Sequence, residues 1–171
     1  TVQATMVASD EDLAKLTATA KEMGATTRVT ASESAQALNY LALAGYGADQ
    51  AIEALPKVLN LAAAGGLDLA YASDLVTDSM SALGLEMDEL TGFTDEMAKT
   101  AQKSNTNIAQ LGEVIPPVGG TAKILKGGTV VLNTALGMLA DYGMKGSEGG
   151  TKRRYMILSL TAPTEKSALL M

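Results

Sequence analysis

Five carboxylates crowd one short stretch of the chain: Glu86, Asp88, Glu89, Asp95 and Glu96. Two acids converging in a pocket, one with a raised pKa, are the working parts of a carboxylate hydrolase. Acids at alternate positions, with a central Gly and a closing Glu, would make a calcium loop. The spacing does not match that loop. The acids also sit around expected helix starts, where carboxylates cap free amides and offset the helix dipole. Position therefore favours capping or solvated surface over catalysis. Glu113, alone in an apolar stretch, reads as a surface residue on the same grounds.

The remaining chemical candidates are weaker. Gly119-Gly120-Thr121 and Gly127-Gly128-Thr129 lack the GxxxxGK[ST] arrangement that cradles phosphates, and read as turns. Lys152-Arg153-Arg154, following Gly149-Gly150-Thr151, is the one dense basic cluster. A helix N-terminus with three cations is one way to hold a phosphate. A solvated face, or ion pairing with the acidic N-terminal half, is the favoured alternative. The chain has no Cys and no His. Thiol nucleophiles, disulfides, histidine bases and the common zinc and haem sites are therefore unavailable. The expectation is a non-enzymatic protein with no catalytic, cofactor-binding or metal residues and no cofactor.

The elements that would carry these residues are marked by capping boxes and by Gly and Pro. Ser9 with Asp12 opens a first helix, with Leu13, Leu16, Ala20 and Met23 as its stripe before Gly24. Thr30 with Glu33 opens a second, whose face of Ala35, Leu38, Leu41 and Ala42 runs to Gly45. A third segment, Ala48–Ala64, is expected to kink or split at Pro56. Asp68 caps a fourth, Leu69–Leu83, stopped by Gly84. A fifth occupies Gly92–Ser104 with Phe93, Met97 and Ala101, and a sixth follows Thr106 with Ile108, Leu111, Val114 and Ile115. Pro116-Pro117 and Gly119-Gly120 should end the sixth, because prolines remove donors and clash with the preceding turn. Thr129–Tyr142 makes a seventh, although Gly128–Leu132 is β-branched enough to compete as a strand. Thr151–Leu160 makes an eighth.

Composition agrees with an all-α fold. With 171 residues, 47% hydrophobic, the chain can bury a useful core. That core must be unusual, because there is no Trp and one Phe, against 28 Ala, 17 Gly and 9 Met. Small residues let helices approach closely, and Met fills the remaining gaps. The expected architecture is a compact bundle of seven to eight helices broken at Gly and Pro, forming one domain over 1–171, with 1–85 and 86–171 as candidate halves. Leu43-Ala44-Gly45-Tyr46-Gly47 echoes Leu139-Ala140-Asp141-Tyr142-Gly143, and Val58–Leu61 echoes Ile157–Leu160. The echo leaves open two pseudo-symmetric helical hairpins or chance likeness among Ala/Leu-rich helices.

Net charge is −6, and from Val58 to Ala98 there are eight acids and no base. Such a surface repels phosphate, which argues against specific nucleic-acid binding. The longest uncharged stretches, Ser34–Ala48 and Gly127–Ala140, are shorter than the roughly 18 residues of a spanning helix. They are rich in small residues that pack helices in lipid, so a membrane-active segment stands as a competing reading, which dye release from vesicles would separate from a structural bundle. A cell-wall hydrolase and a generic helical adaptor are the other competitors. The chain starts with Thr, so it reads as a piece of something longer.

One run stands out. Gly24-Ala25-Thr26-Thr27-Arg28-Val29-Thr30-Ala31-Ser32-Glu33-Ser34-Ala35, followed by Leu41-Ala42-Leu43-Ala44-Gly45-Tyr46, resembles the core region of phage tail tape-measure proteins. Further pieces follow in the same order: Leu55–Ala62, Asp68-Leu69-Ala70, Leu139–Gly143, and Gly150-Thr151 leading to Leu158–Pro163. Pro116-Pro117 and Arg154-Tyr155 depart from the pattern. The resemblance implies a structural tail component concerned with assembly, tail length and DNA ejection. It also implies contacts with the tail tube protein, tail assembly chaperones and the tail-tip initiator complex. The location it implies is the lumen of the virion tail, preceded by the host cytoplasm during assembly, with membrane contact during ejection left open. It transfers no site residues. Ala/Met-rich faces add an expectation of self-association.

Overall fold

The computed structural model describes residues 8–146 apart from residue 124. Among them are seven α-helices and no strand: α1 (Asp10–Thr26), α2 (Ala31–Leu43), α3 (Ala48–Gly65), α4 (Leu69–Leu83), α5 (Leu90–Lys103), α6 (Ile108–Ala122) and α7 (Gly128–Asp141). A 3-10 turn, Met87–Glu89, precedes α5. The protein is all-α. The expected eighth helix, the basic cluster Lys152-Arg153-Arg154 and the second half of the internal echo lie outside the described residues.

The described residues divide into two compact units. One comprises those up to Asp78 together with Glu86–Thr91, and the other comprises Ser79–Leu85 together with those from Gly92 onward. In the first, α1, α2 and α3 pack on one another and α3 also meets the 3-10 turn. Leu16, Leu38, Leu41, Leu55, Val58 and Val76 are buried there. In the second, α6 packs on α7, and Phe93, Met97, Ile115, Val118, Leu132 and Leu136 are buried.

Both expected capping boxes form. Asp12 N–H donates to Ser9 Oγ at 3.1 Å while Ser9 N–H donates to Asp12 Oδ2 at 3.0 Å. Glu33 N–H donates to Thr30 Oγ1 at 3.2 Å and Thr30 N–H donates to Glu33 Oε2. The opening of α4 is held by Asp68, whose Oδ1 accepts from Ala70 N–H at 2.8 Å. Four helices then end in one way. Gly45, Gly66, Gly84 and Gly143 have positive φ. The apolar residue after each donates its N–H back to the helix: Tyr46 to Leu41, Leu67 to Ala62, Leu85 to Met80 and Met144 to Leu139. This six-to-one closure needs a left-handed residue, which Gly adopts without a Cβ clash. Its frame relates Gly45 to Gly143, an offset two residues away from the one that aligns the two Leu-Ala-x-Tyr-Gly segments.

Three expectations are corrected. Of the two outcomes expected at Pro56, the split does not occur: α3 is one helix, with Leu55, Val58, Leu59 and Leu61 buried on either side of the proline. Pro116-Pro117 and Gly119-Gly120 do not end α6, which passes through all four to Ala122. Both prolines lie exposed, while Val114, Ile115, Val118 and Gly119 are buried. The apolar face therefore holds the helix together across two missing donors. Gly24 likewise does not stop α1. A Cβ there would lie 2.5 Å from Ala31 N, so this Gly admits the start of α2 at close range. Gly128–Leu132 is helical, because Leu132 and Leu136 on the α7 face supply the burial that decides between the two states.

Candidate functional site

The five carboxylates sit in different settings. Glu89 Oε2 accepts from Glu86 N–H at 2.9 Å, closing the 3-10 turn as a cap. Asp88 and Asp95 are exposed. Glu96 alone is engaged at a distance along the chain, its Oε2 accepting from Asn133 Nδ2 at 3.5 Å. Glu113 is exposed, as its position predicts. Gly119-Gly120-Thr121 is helical rather than a turn. Gly127 and Gly128 both have positive φ, at 98° and 59°, and open α7 without a side-chain cap. Among the described residues no three acidic side chains group in a way that could hold a metal ion.

Buried polar groups were the other place to find chemistry. Ser34 Oγ, Ser79 Oγ and Asn133 Oδ1 are buried with no hydrogen-bond partner among the described residues. Neither hydroxyl has a histidine to activate it, since the chain holds none. Ser34 is fully buried on α2 and Ser79 on α4, where small side chains suit close helix packing.

Two hollows open between helices. In the first unit, Leu13, Leu16, Ala20, Ala35 and Leu38 line a space of about 270 Å³ between α1 and α2. In the second, Glu96, Lys99, Thr100 and Lys103 of α5 face Val130, Asn133 and Met138 of α7 across about 350 Å³. These two helices run parallel and close. A Cβ on Gly137 would lie 2.5 Å from Ser104 Oγ, and Asn105 N–H donates to Asp141 Oδ1 at 2.6 Å. Exposed large hydrophobic side chains gather on the α7 side of this hollow. Val130, Met138 and Tyr142 are 56%, 59% and 82% exposed. Residue order alone places the apolar residues of α7 in one element. Four-residue spacing from Val130 to Tyr142, out of phase with the buried Leu132, Leu136 and Leu139, was the signal that separates this outer stripe.

Among the described residues, small side chains let helices pack closely and the outer face of α7 lies exposed. The chain belongs to the phage-related minor tail protein family, whose model matches residues 17–171. It is 32% identical over 164 residues to the tape measure protein of Pneumococcus phage Dp-1, covering 96% of this chain and 14% of that protein. It is 29% identical over 164 residues to a probable tape measure protein of Escherichia phage P2, covering 94% of this chain and 20% of that one. The chain thus spans a fifth or less of the length of these relatives. No solved structure matches it. The tape-measure resemblance read from Gly24–Ala35 and the pieces that follow it therefore holds.

Proposed function

We propose that this chain is a folded, non-enzymatic module of a longer tape-measure-type protein of a phage tail. Its work lies in tail assembly, length determination and DNA ejection, within the tube lumen of the virion tail. The tail tube protein, the assembly chaperones and the tail-tip initiator complex are its partners in this reading. The observation that carries it is the combination of family membership with short, capped helices. The longest described helix has 18 residues, about 27 Å at 1.5 Å per residue. Repeated six-to-one closures turn the chain where a continuous rod would run on. Length is then measured by other parts of the parent protein, and this part serves as a domain carried along it.

In-frame deletion of these 171 residues from the parent tail protein, with tails imaged by electron microscopy, tests the proposal. Tails of normal length with a defect in initiation or DNA delivery are expected. Tails shorter by about 260 Å, the span of 171 residues as one helix, would make the segment part of the ruler itself. Tails of normal length that deliver DNA normally would remove the proposed role.

Among the described residues no helix is long and apolar enough to cross a membrane.

A further inference from the structure

We infer that the outer face of α7 pairs with the same face of a second copy of this chain, the two helices lying antiparallel about Thr134. The inference goes beyond the proposed tail role and stands independently of it.

The first support is the stripe itself. Val130, Thr134 and Met138 occupy successive four-residue steps on α7 and all three are exposed. Between Gly127 and Ala140 the chain carries no charge, so a second helix laid along it meets no charged side chain of α7.

The second support is charge. Lys126 stands immediately before the N-terminal cap of α7, and Asp141 is the last residue of the helix. Each has the wrong sign for its own helix dipole, which favours acids at the start and bases at the end. Both are exposed. Asp141 spends one oxygen on Asn105 N–H and keeps the other. An antiparallel partner turns both misfits into matches. With Thr134 on the two-fold axis, Val130 of one copy faces the partner's Met138. Lys126 of one copy then lies opposite the partner's Tyr142 and reaches the Asp141 next to it, and the reverse pair forms at the other end. An isologous two-fold interface requires this kind of self-complementarity. The hollow beside Val130 and Met138 gives the flexible Met of the other copy room to settle. Lys99 and Lys103, on the α5 wall of that hollow, are exposed and keep their charges in water. A single helix face is smaller than a standard interface, so the affinity belongs to the weak, transient class.

Because the chain has no Cys, crosslinking gives a clean readout. T134C places one thiol on the proposed axis, while L43C places one on the first unit, where Leu43 is 64% exposed. Under mild oxidation of the 171-residue chain, T134C is expected to form a disulfide dimer readily and L43C to lag well behind. Sedimentation equilibrium is expected to show M138E weakening self-association about tenfold or more, with unchanged helical circular dichroism. K126E and D141K each put like charges together at both ends, so each alone should associate poorly. Mixed in equal amounts, they should associate like the unaltered chain, because both end pairs are then opposite in sign. A monomer at all concentrations, equal crosslinking of T134C and L43C, or unaltered association of M138E would overturn the pairing. So would a K126E–D141K mixture no stronger than its parts, provided each variant keeps its melting temperature. Residues 147–171 or another segment of the parent chain covering α7 would appear as the first of these outcomes.

Discussion

Left-handed glycines close helices in both units of this protein, yet α1 and α2 of the first and α6 of the second are held by different means. In the first, α1 and α2 are framed by reciprocal capping boxes and α2 and α3 end on left-handed glycines. The instructions sit within a few residues of where they act. In the second, α6 keeps its course through two prolines and two glycines, because Val114, Ile115 and Val118 are buried and Gly119 lets Ala82 of the last turn of α4 come close. The instructions there come from other parts of the chain. A helix can therefore be specified by its ends or by its neighbours, and this chain uses both.

The sharpest way to break the second mode is Gly119→Ala. Its Cβ would lie 2.6–2.8 Å from the Cβ, oxygen and carbon of Ala82, and two of those are backbone atoms that cannot swing aside. A loss of about 3 kcal/mol is expected in denaturant unfolding, with hydrogen exchange accelerated in α6 and α7. Pro116→Ala pushes the other way. It restores an N–H to an exposed position inside α6 and should stabilise by about 2 kcal/mol after allowing for the stiffness proline gives the unfolded chain. If α6 instead loses stability, the helix is held by something other than its buried face.

The first mode is broken by Thr30→Ala, which removes the cap of α2. A cost of about 1 kcal/mol is expected, with faster exchange confined to the start of α2 and no change in α6. Acid should have a related effect. The backbone N–H and hydroxyl of Thr30 hold the Glu33 carboxyl below its ordinary value, and the hydroxyl and N–H of Ser9 do the same for Asp12. Folded values below unfolded ones mean that the contribution is fully present above the ordinary carboxylate range, about pH 4, and is lost as pH falls through the lowered values. Exchange at α1 and α2 starts should accelerate over that window, and in Thr30→Ala the α2 component should shrink but persist, because the backbone N–H at position 30 still donates to Glu33. The smallest change is Gly120→Ala. Nothing lies within 4 Å of a Cβ there, so the substitution should stabilise α6 by roughly 0.5–1 kcal/mol. Neighbouring glycines with opposite responses would confirm that position 119, and not glycine as such, is what the second unit requires.

The same division explains what could be read from sequence. Ser9–Asp12, Thr30–Glu33, Asp68, Gly45 and Gly84 act through hydrogen bonds that span only a few residues, and their pattern was visible in the residue order. The roles of Gly24 and Gly119 were not, because a glycine that stops a helix and one that admits a neighbour look alike until the neighbour is placed. Pro116-Pro117 was misread for the same reason: the penalty is local and legible, while the burial that outweighs it is neither. Among the chemical candidates, the capping role of Glu89 followed from position. The contact of Glu96 with Asn133, 37 residues away, did not. The α7 stripe was hidden because exposure is a property of packing, and Val130 and Met138 are as apolar as the residues buried behind them.

The interleaved order of the two units has a consequence for inheritance. Ser79–Leu85 belongs to the second unit although first-unit residues flank it on both sides, in Asp78 and in Glu86–Thr91. A genetic crossover anywhere from Ser79 to Thr91 would join part of one unit to a foreign complement of the other. Neither half could then be exchanged as a cassette at its apparent midpoint. Viable recombinants are expected to carry their junctions outside both units, so that the two are inherited together from one parent.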